Sequence, residues 1–217
     1  MDKVFTKKKF STYFTYYGVF SLIVSLLICV GWSYILNAIN EVQAYEKINI
    51  FIESYGISNS FELNLYDELK EKDSSNSIYE VNVYQFSPKD EKLTSYYDSF
   101  GKSADIVILI EEDLIDMNEY IVDNFLELSD SLLSETIKNK INDYDYYEFE
   151  SKRYALKLYD KDKSYSYLND KITYCKEGEQ QYTYYALINN SSVNLGNYSL
   201  ESKTNNALLT WSYLFGE

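Results

Sequence analysis

Histidine is absent from this chain of 217 residues. That removes the Ser-His-Asp and Cys-His nucleophile systems and the usual zinc ligand sets. No Gly-rich phosphate loop and no G-x-S-x-G elbow occurs. Of the two cysteines, Cys29 lies in an apolar run, and Cys175 stands alone in the body. No internal disulfide is expected there, even in an oxidising compartment. Basic charge is scarce as well, and the formal net charge is -14. Lys3, Lys7, Lys8, Lys9 and Asp2 give residues 1–40 a charge of +3, which leaves -17 for the remainder. A body that acidic is a poor candidate for nucleic acid, which rewards a basic face. The acidity suits an exposed, soluble domain. Tyrosine is abundant, at 25 residues, a bias that alone does not argue for sugar binding.

Residues 16–39 hold no charged side chain. A bilayer core takes about 20 apolar residues as a helix, and only a helix satisfies the backbone of such a run there. Tyr16 and Tyr17 at one end, and Trp32 and Tyr34 at the other, suit the two interfaces. The lysines precede the run, whereas Glu41 and Glu46 follow it. The positive-inside rule then places the N-terminus in the cytoplasm and the body outside the cell membrane. The rivals are a cleaved signal peptide and a lipoprotein signal. The first wants a shorter apolar core and a small-x-small exit, and Trp32-Ser33-Tyr34 is a poor one. The second wants a small residue just before its cysteine, and Ile28 precedes Cys29. The expected organisation is a basic cytoplasmic N-terminus over 1–15, a transmembrane anchor over 16–39 and one extracytoplasmic domain over 40–217.

The body reads as alternating strands and helices. A strand is expected over 47–54, on Ile48-Asn49-Ile50-Phe51-Ile52. A helix follows over 60–72, capped by Asn59 with Glu62 in a capping-box position; Phe61, Leu65 and Leu69 form its apolar face. The second strand is 78–86. Ser87-Pro88 signals a helix start, and Gly101 an end. The third strand, 104–110, is the most continuous apolar run of the body, suited to a central strand covered on both faces. Helical pattern resumes over 113–133, broken before Leu128. Residues 142–147 have no clear period. Strands are expected over 153–159 and 181–189, a hairpin between them, and a final helix over 204–214. The fold class is therefore α/β, with a parallel-dominated sheet flanked by helices.

Several phrases in that order resemble the extracellular solute-binding proteins of bacterial ABC importers. Residues 47–54 look like the opening strand of that family and 79–86 like its second. Lys102-Ser103-Ala104-Asp105-Ile106-Val107-Ile108 is similar to its x-x-x-D-[IV]-[VI] third strand. Residues 124–129 resemble its L-x-P-L-D phrase, with Glu127 in the proline place. Residues 150–156 resemble its G-K-x-Y-x-L-P crossing strand, with Ser151 for glycine and Lys157 for proline. Residues 185–192 are similar to its late I-N-x-x-S strand. The family clamps a ligand between two lobes. Here only 160–179 lies between the crossing and late strands, so the resemblance implies a first lobe without the second.

Ligands of open parallel sheets sit beyond the carboxyl ends of the strands. That makes Tyr55, Ser87, Glu111 and Glu112 the candidate ligand-binding residues. Tyr55 would stack on a sugar or apolar face, and the two glutamates would take a cation, a hydroxyl or a basic group. Each has an ordinary reading too: Tyr55 a turn residue, Ser87 a helix cap, Glu112 and Asp113 favourable charge at a helix N-terminus. Asp105 is read as structural. Glu111-Glu112-Asp113 and Asp116 offer paired carboxylates, but nothing fixes the spacing hydrolysis needs, so no enzyme, metal or cofactor is expected. Asp143-Tyr144-Asp145 and Asp160-Lys161-Asp162 are too short for a calcium loop. The resemblance implies two roles: uptake of a small solute beside an ABC permease, or a non-catalytic accessory module that docks on a permease or other surface protein.

Overall fold

The structure, a computed structural model, describes residues 7–73, 75, 77–88, 93–137, 144–162, 165–166, 168, 172–173 and 181–215. It falls into two compact units, Met1–Val42 and Gln43–Glu217. The first is built on helix α1, Lys7–Asn40. Within it Thr15–Ile39 has mean hydropathy 2.3 and no buried residue. By length and composition that segment suits a membrane span or a signal sequence. Ser33 turns its hydroxyl back onto the Cys29 carbonyl at 2.9 Å, so this polar side chain is satisfied inside the helix.

The second unit is an α/β domain. Its strands are β1 (Lys47–Glu53), β2 (Gly56–Ile57), β3 (Glu80–Phe86), β4 (Ile106–Ile110), β5 (Tyr146–Phe149), β6 (Lys152–Asp160), β7 (Tyr165–Ser166), β8 (Ile172–Thr173) and β9 (Tyr184–Ile188). Its helices are α2 (Phe61–Lys72), α3 (Leu93–Ser103), α4 (Glu111–Asp116), α5 (Asn118–Asn124), α6 (Asp130–Thr136) and α7 (Asn206–Leu214). The main sheet runs β3-β1-β4-β9-β6-β5, with β7 added against β6. β1 is parallel to β3 and to β4. β9 lies antiparallel between β4 and β6. Thus β3, β1, β4 and β6 share one direction, and β9 and β5 run against them.

Both faces of the sheet are covered, and the side chains alternate accordingly. Ile48, Ile50, Ile52, Ile106, Ile108, Ile110, Ala186 and Ile188 point into a core closed by α2, α6 and α7. Phe51, Val107, Leu109, Tyr185 and Leu187 point into a second, aromatic-rich core under α3, α4 and α5. Double coverage is why β4 reads as an unbroken apolar run, with all five residues buried. β3 lies on one side of β1 and β4 on the other, so crossovers of one hand place α2 and α3 on opposite faces.

Several local expectations change. Helix α2 begins after Ser60, not Asn59, and Ser60 makes no side-chain cap. Glu62 closes no capping box; its carboxylate accepts the Val83 N–H at 3.1 Å and occupies part of the open edge of β3. Pro88 lies in a turn, and the residues linking it to α3 lie outside those described. Gly101 does not end α3, which runs on to Ser103. A Cβ at Gly101 would come within 2.9 Å of the Tyr120 hydroxyl and 3.0 Å of Asn124 Oδ1. The glycine is there for the close approach of α5. The break before Leu128 falls at Phe125, which bridges to Asn189. Of the expected hairpin, β7 turns back on β6, but β8 pairs with β2. Much of 163–180, including Cys175, lies outside the described residues, as does Asp143.

Candidate functional site

The carboxyl ends of β3, β1 and β4 lie side by side along one edge of the sheet. The crossovers leave to opposite faces, so the switch point, where open sheets of this kind take ligands, falls between β1 and β4. Glu53, fully buried, spans it: its Oε2 accepts the Ile110 N–H at 2.8 Å. Ser54 donates its N–H to the Phe86 carbonyl at 2.9 Å and takes the Gln85 amide on its own carbonyl at 2.8 Å. The Ser54 hydroxyl is buried with no hydrogen-bond partner among the described residues.

Tyr55 leaves β1 at this edge. It is half-buried and stacks on Tyr182, with ring centroids 6.4 Å apart and planes 28° from parallel. The aromatic face that would meet a ligand therefore lies against the chain's own tyrosine. Ser87 is exposed at the end of β3, the outermost strand. Glu111 and Glu112 open α4 directly after β4. The Glu111 N–H is bonded to the Thr183 carbonyl at 2.9 Å, and both carboxylates sit in the first turn, where the helix dipole favours them. Glu112 Oε2 is buried without a hydrogen-bond partner among the described residues. The four residues thus share one edge, with Tyr55 and the glutamates on neighbouring strand ends and Ser87 one strand further out.

A charged group beside Tyr185 was not among the expected site residues. Lys157, on β6, reaches Asp145 Oδ2 at 3.1 Å and Asp160 Oδ2 at 3.2 Å. Its ammonium lies 5.7 Å from the centre of the Tyr185 ring. Burial alone would lower the Lys157 pKa; Asp145, Tyr185 and Asp160 outweigh it and hold the group charged far into alkaline pH. Tyr185 is pushed up to about 12, first by burial and then by the negative charge of Glu111. Tyr147 is raised as well, first by burial and only last by the same carboxylate, and its hydroxyl donates to Asn118 Oδ1 at 2.7 Å. The signal was present in the sequence: Lys157 stands between Leu156 and Leu158, on the apolar stretch of a strand whose other charges, Lys152, Arg153 and Asp160, lie toward its ends.

Asp105 lies at the opposite, amino-terminal edge of the sheet. It is buried and ties three segments together. Its carboxylate accepts the Asn49 N–H at 2.8 Å, the Asn194 amide at 3.0 Å and the Ser192 hydroxyl. Asn189 in turn donates to the carbonyls of Phe100 and Ala104. The aspartate phrase of β4 and the Asn-x-x-Ser phrase after β9 are therefore two halves of one buried bracket, which is a structural role. Among the described residues no group of three or more acidic or thiol side chains is placed to hold a metal.

No protein-family model matches the sequence, and no curated protein matches it significantly. Two solved structures share part of its arrangement. One is a maltose/maltodextrin-binding domain from Bdellovibrio bacteriovorus bound to maltotriose, at 12% identity and a TM-score of 0.35. The other was solved with acarbose, at 13% identity and a TM-score of 0.37. Each match covers 52% of this chain, and 28% and 30% of the longer partner respectively.

Proposed function

We propose that this chain is a membrane-anchored, extracytoplasmic, solute-binding-like protein that serves ABC-type uptake of a small solute and performs no catalysis. The observation that carries the reading is the shared edge: three parallel strands end together, and Tyr55, Glu111 and Glu112 leave from adjacent ends, where open α/β sheets take ligands. The ordered phrases resembling the solute-binding family support it, as does the apolar segment Thr15–Ile39. The test is calorimetric titration of the full chain in nanodiscs with sugars, peptides and polyamines. One of these should bind, and Glu111→Gln should weaken it about tenfold, the scale of losing a hydrogen bond to a charged group. No heat with any of them sinks the reading.

A second reading has its own observation. Glu53 bridges the ends of β1 and β4, and Tyr182 covers part of Tyr55. A lobe whose ligand edge is occupied by its own side chains suits an accessory module that docks on a permease or another surface protein. Crosslinking in native membranes decides it, since recovery of no reproducible partner counts against docking.

A further inference from the structure

A polar cavity of about 560 Å³ opens at the other edge of the sheet. That is within the range of small-molecule sites, roughly 300–1,000 Å³. Its wall includes Ser75, Ser77, Ser202, Thr204, Glu135 and Lys203. The hydroxyls are not equivalent to free serines. Ser75 donates to Asp73 or to Ser77. Ser77 donates to Asp73 or to Asn206 Oδ1. The Ser202 hydroxyl faces the carbonyls of Val193 and Thr204, and that of Thr204 faces Asn194 Oδ1 and the Tyr45 carbonyl.

A hydroxyl has one hydrogen to give and two lone pairs to receive with. All four hydrogens have acceptors inside the protein, so the hydroxyls offer the cavity lone pairs. Glu135 adds a carboxylate, held from behind by the Tyr198 hydroxyl at 2.9 Å. Asp73 lies directly behind the two serines. Burial works to raise its pKa, but hydrogen bonds from Ser75, Ser77 and Ile78 together hold it below the ordinary value, so it is ionised at neutral pH. Lys203, over the Tyr45 ring at 4.8 Å, is the one cation of the named wall residues.

A wall of hydroxyl lone pairs with one carboxylate and one ammonium, and with the Asp73 carboxylate behind it, selects for a ligand of complementary charges. We infer that this cavity is a second binding site, distinct from the strand-end edge, for small molecules that carry a primary ammonium together with hydroxyls. The ligand's ammonium would face Glu135 and the serine oxygens, and its hydroxyl oxygens would accept from Lys203.

Three probes of one ring shape separate the charges: glucosamine, glucose and N-acetylglucosamine. Each is titrated calorimetrically into the full chain in phosphatidylcholine nanodiscs at neutral pH. Glucosamine should bind saturably, and the two uncharged sugars at least about tenfold more weakly. Glu135→Gln should cost glucosamine about tenfold, while Glu119→Gln, an exposed acid on α5, leaves it unchanged. Equal affinity for glucose and glucosamine overturns the inference, as does no heat with glucosamine. Sensitivity to Glu111→Gln without sensitivity to Glu135→Gln also overturns it, by assigning the binding to the strand ends.

Discussion

Two aspartates, both buried and both accepting several hydrogen bonds, respond to pH in opposite directions. Asp73 ends α2 and collects donors from Ser75, Ser77 and Ile78. Its pKa is lowered in the folded chain. The stability it contributes is complete above the ordinary carboxylate pKa and is lost as pH falls through the lowered folded value. Asp105 is the reverse case. Burial raises its pKa against the hydrogen bonds of Ser192, Asn49 and Asn194. The folded chain holds that proton more tightly, so stability declines as pH rises from the ordinary value through the raised one. Urea unfolding followed by fluorescence should separate the two. Asp73→Asn should flatten the loss of stability below about pH 4, whereas Asp105→Asn should not. Asp105→Ala should cost about 3 kcal/mol at neutral pH, because it orphans buried donors of Asn49, Ser192 and Asn194. A cost below about 1 kcal/mol would remove the bracket from the account of this fold.

At the scale of elements, legibility followed burial. β1 and β4 were readable because both sheet faces are covered, which turns a central strand into an apolar run; β3, at the edge, was readable from the alternation of Val81 and Val83 with polar residues. The face of α2 was readable for the related reason that Phe61, Leu65 and Leu69 repeat at one helical turn. β5 was not readable. Tyr146–Phe149 is an edge strand with no buried residue, so no alternation marks it. Its turn was hidden as well. Glu150 and Ser151 join β5 to β6 with φ of 50° and 64°, the two left-handed positions of a tight hairpin that ordinarily draws Asn-Gly. The resemblance marks position 151 as a glycine place, and the backbone gives the physical reason. Ser151→Gly should therefore stabilise the chain by about 1 kcal/mol, since a left-handed non-glycine residue costs about 1–2 kcal/mol and glycine returns part of that as unfolded-state entropy. A lower urea midpoint for the variant would contradict this. Candidate site residues were legible only as an edge: β4 to α4 is local, so Glu111 and Glu112 could be placed. The partners of Glu111 come from β5 and from β9 and the residue before it, and pairing across more than 30 positions leaves no local trace in the sequence.

The whole molecule divides into an apolar unit and a strongly acidic one. No residue of Thr15–Ile39 is buried by protein, and such a helix is stable only where something apolar covers it. The two ways to cover it, a bilayer or passage through a secretion channel followed by cleavage, lead to different proteins. Retention tethers the body to the membrane, which raises its effective concentration next to a permease. Cleavage frees the body to diffuse and removes that gain in concentration. Retention is the expected outcome. A tag on the N-terminus and a second on the C-terminus follow it directly. After alkaline carbonate extraction both tags should remain in the membrane pellet on one full-length chain. Protease added to intact cells should destroy the C-terminal tag and spare the N-terminal one, as lysines before the span and acids after it require. A shortened body in the medium, or loss of the N-terminal tag to external protease, would reject the anchored reading and with it the case for action beside a permease. The acidic body adds a dependence on salt: at -17 it is repelled by anionic lipid. Raising ionic strength should therefore bring its exposed edges closer to such a surface, as screening shortens that repulsion to less than about 10 Å.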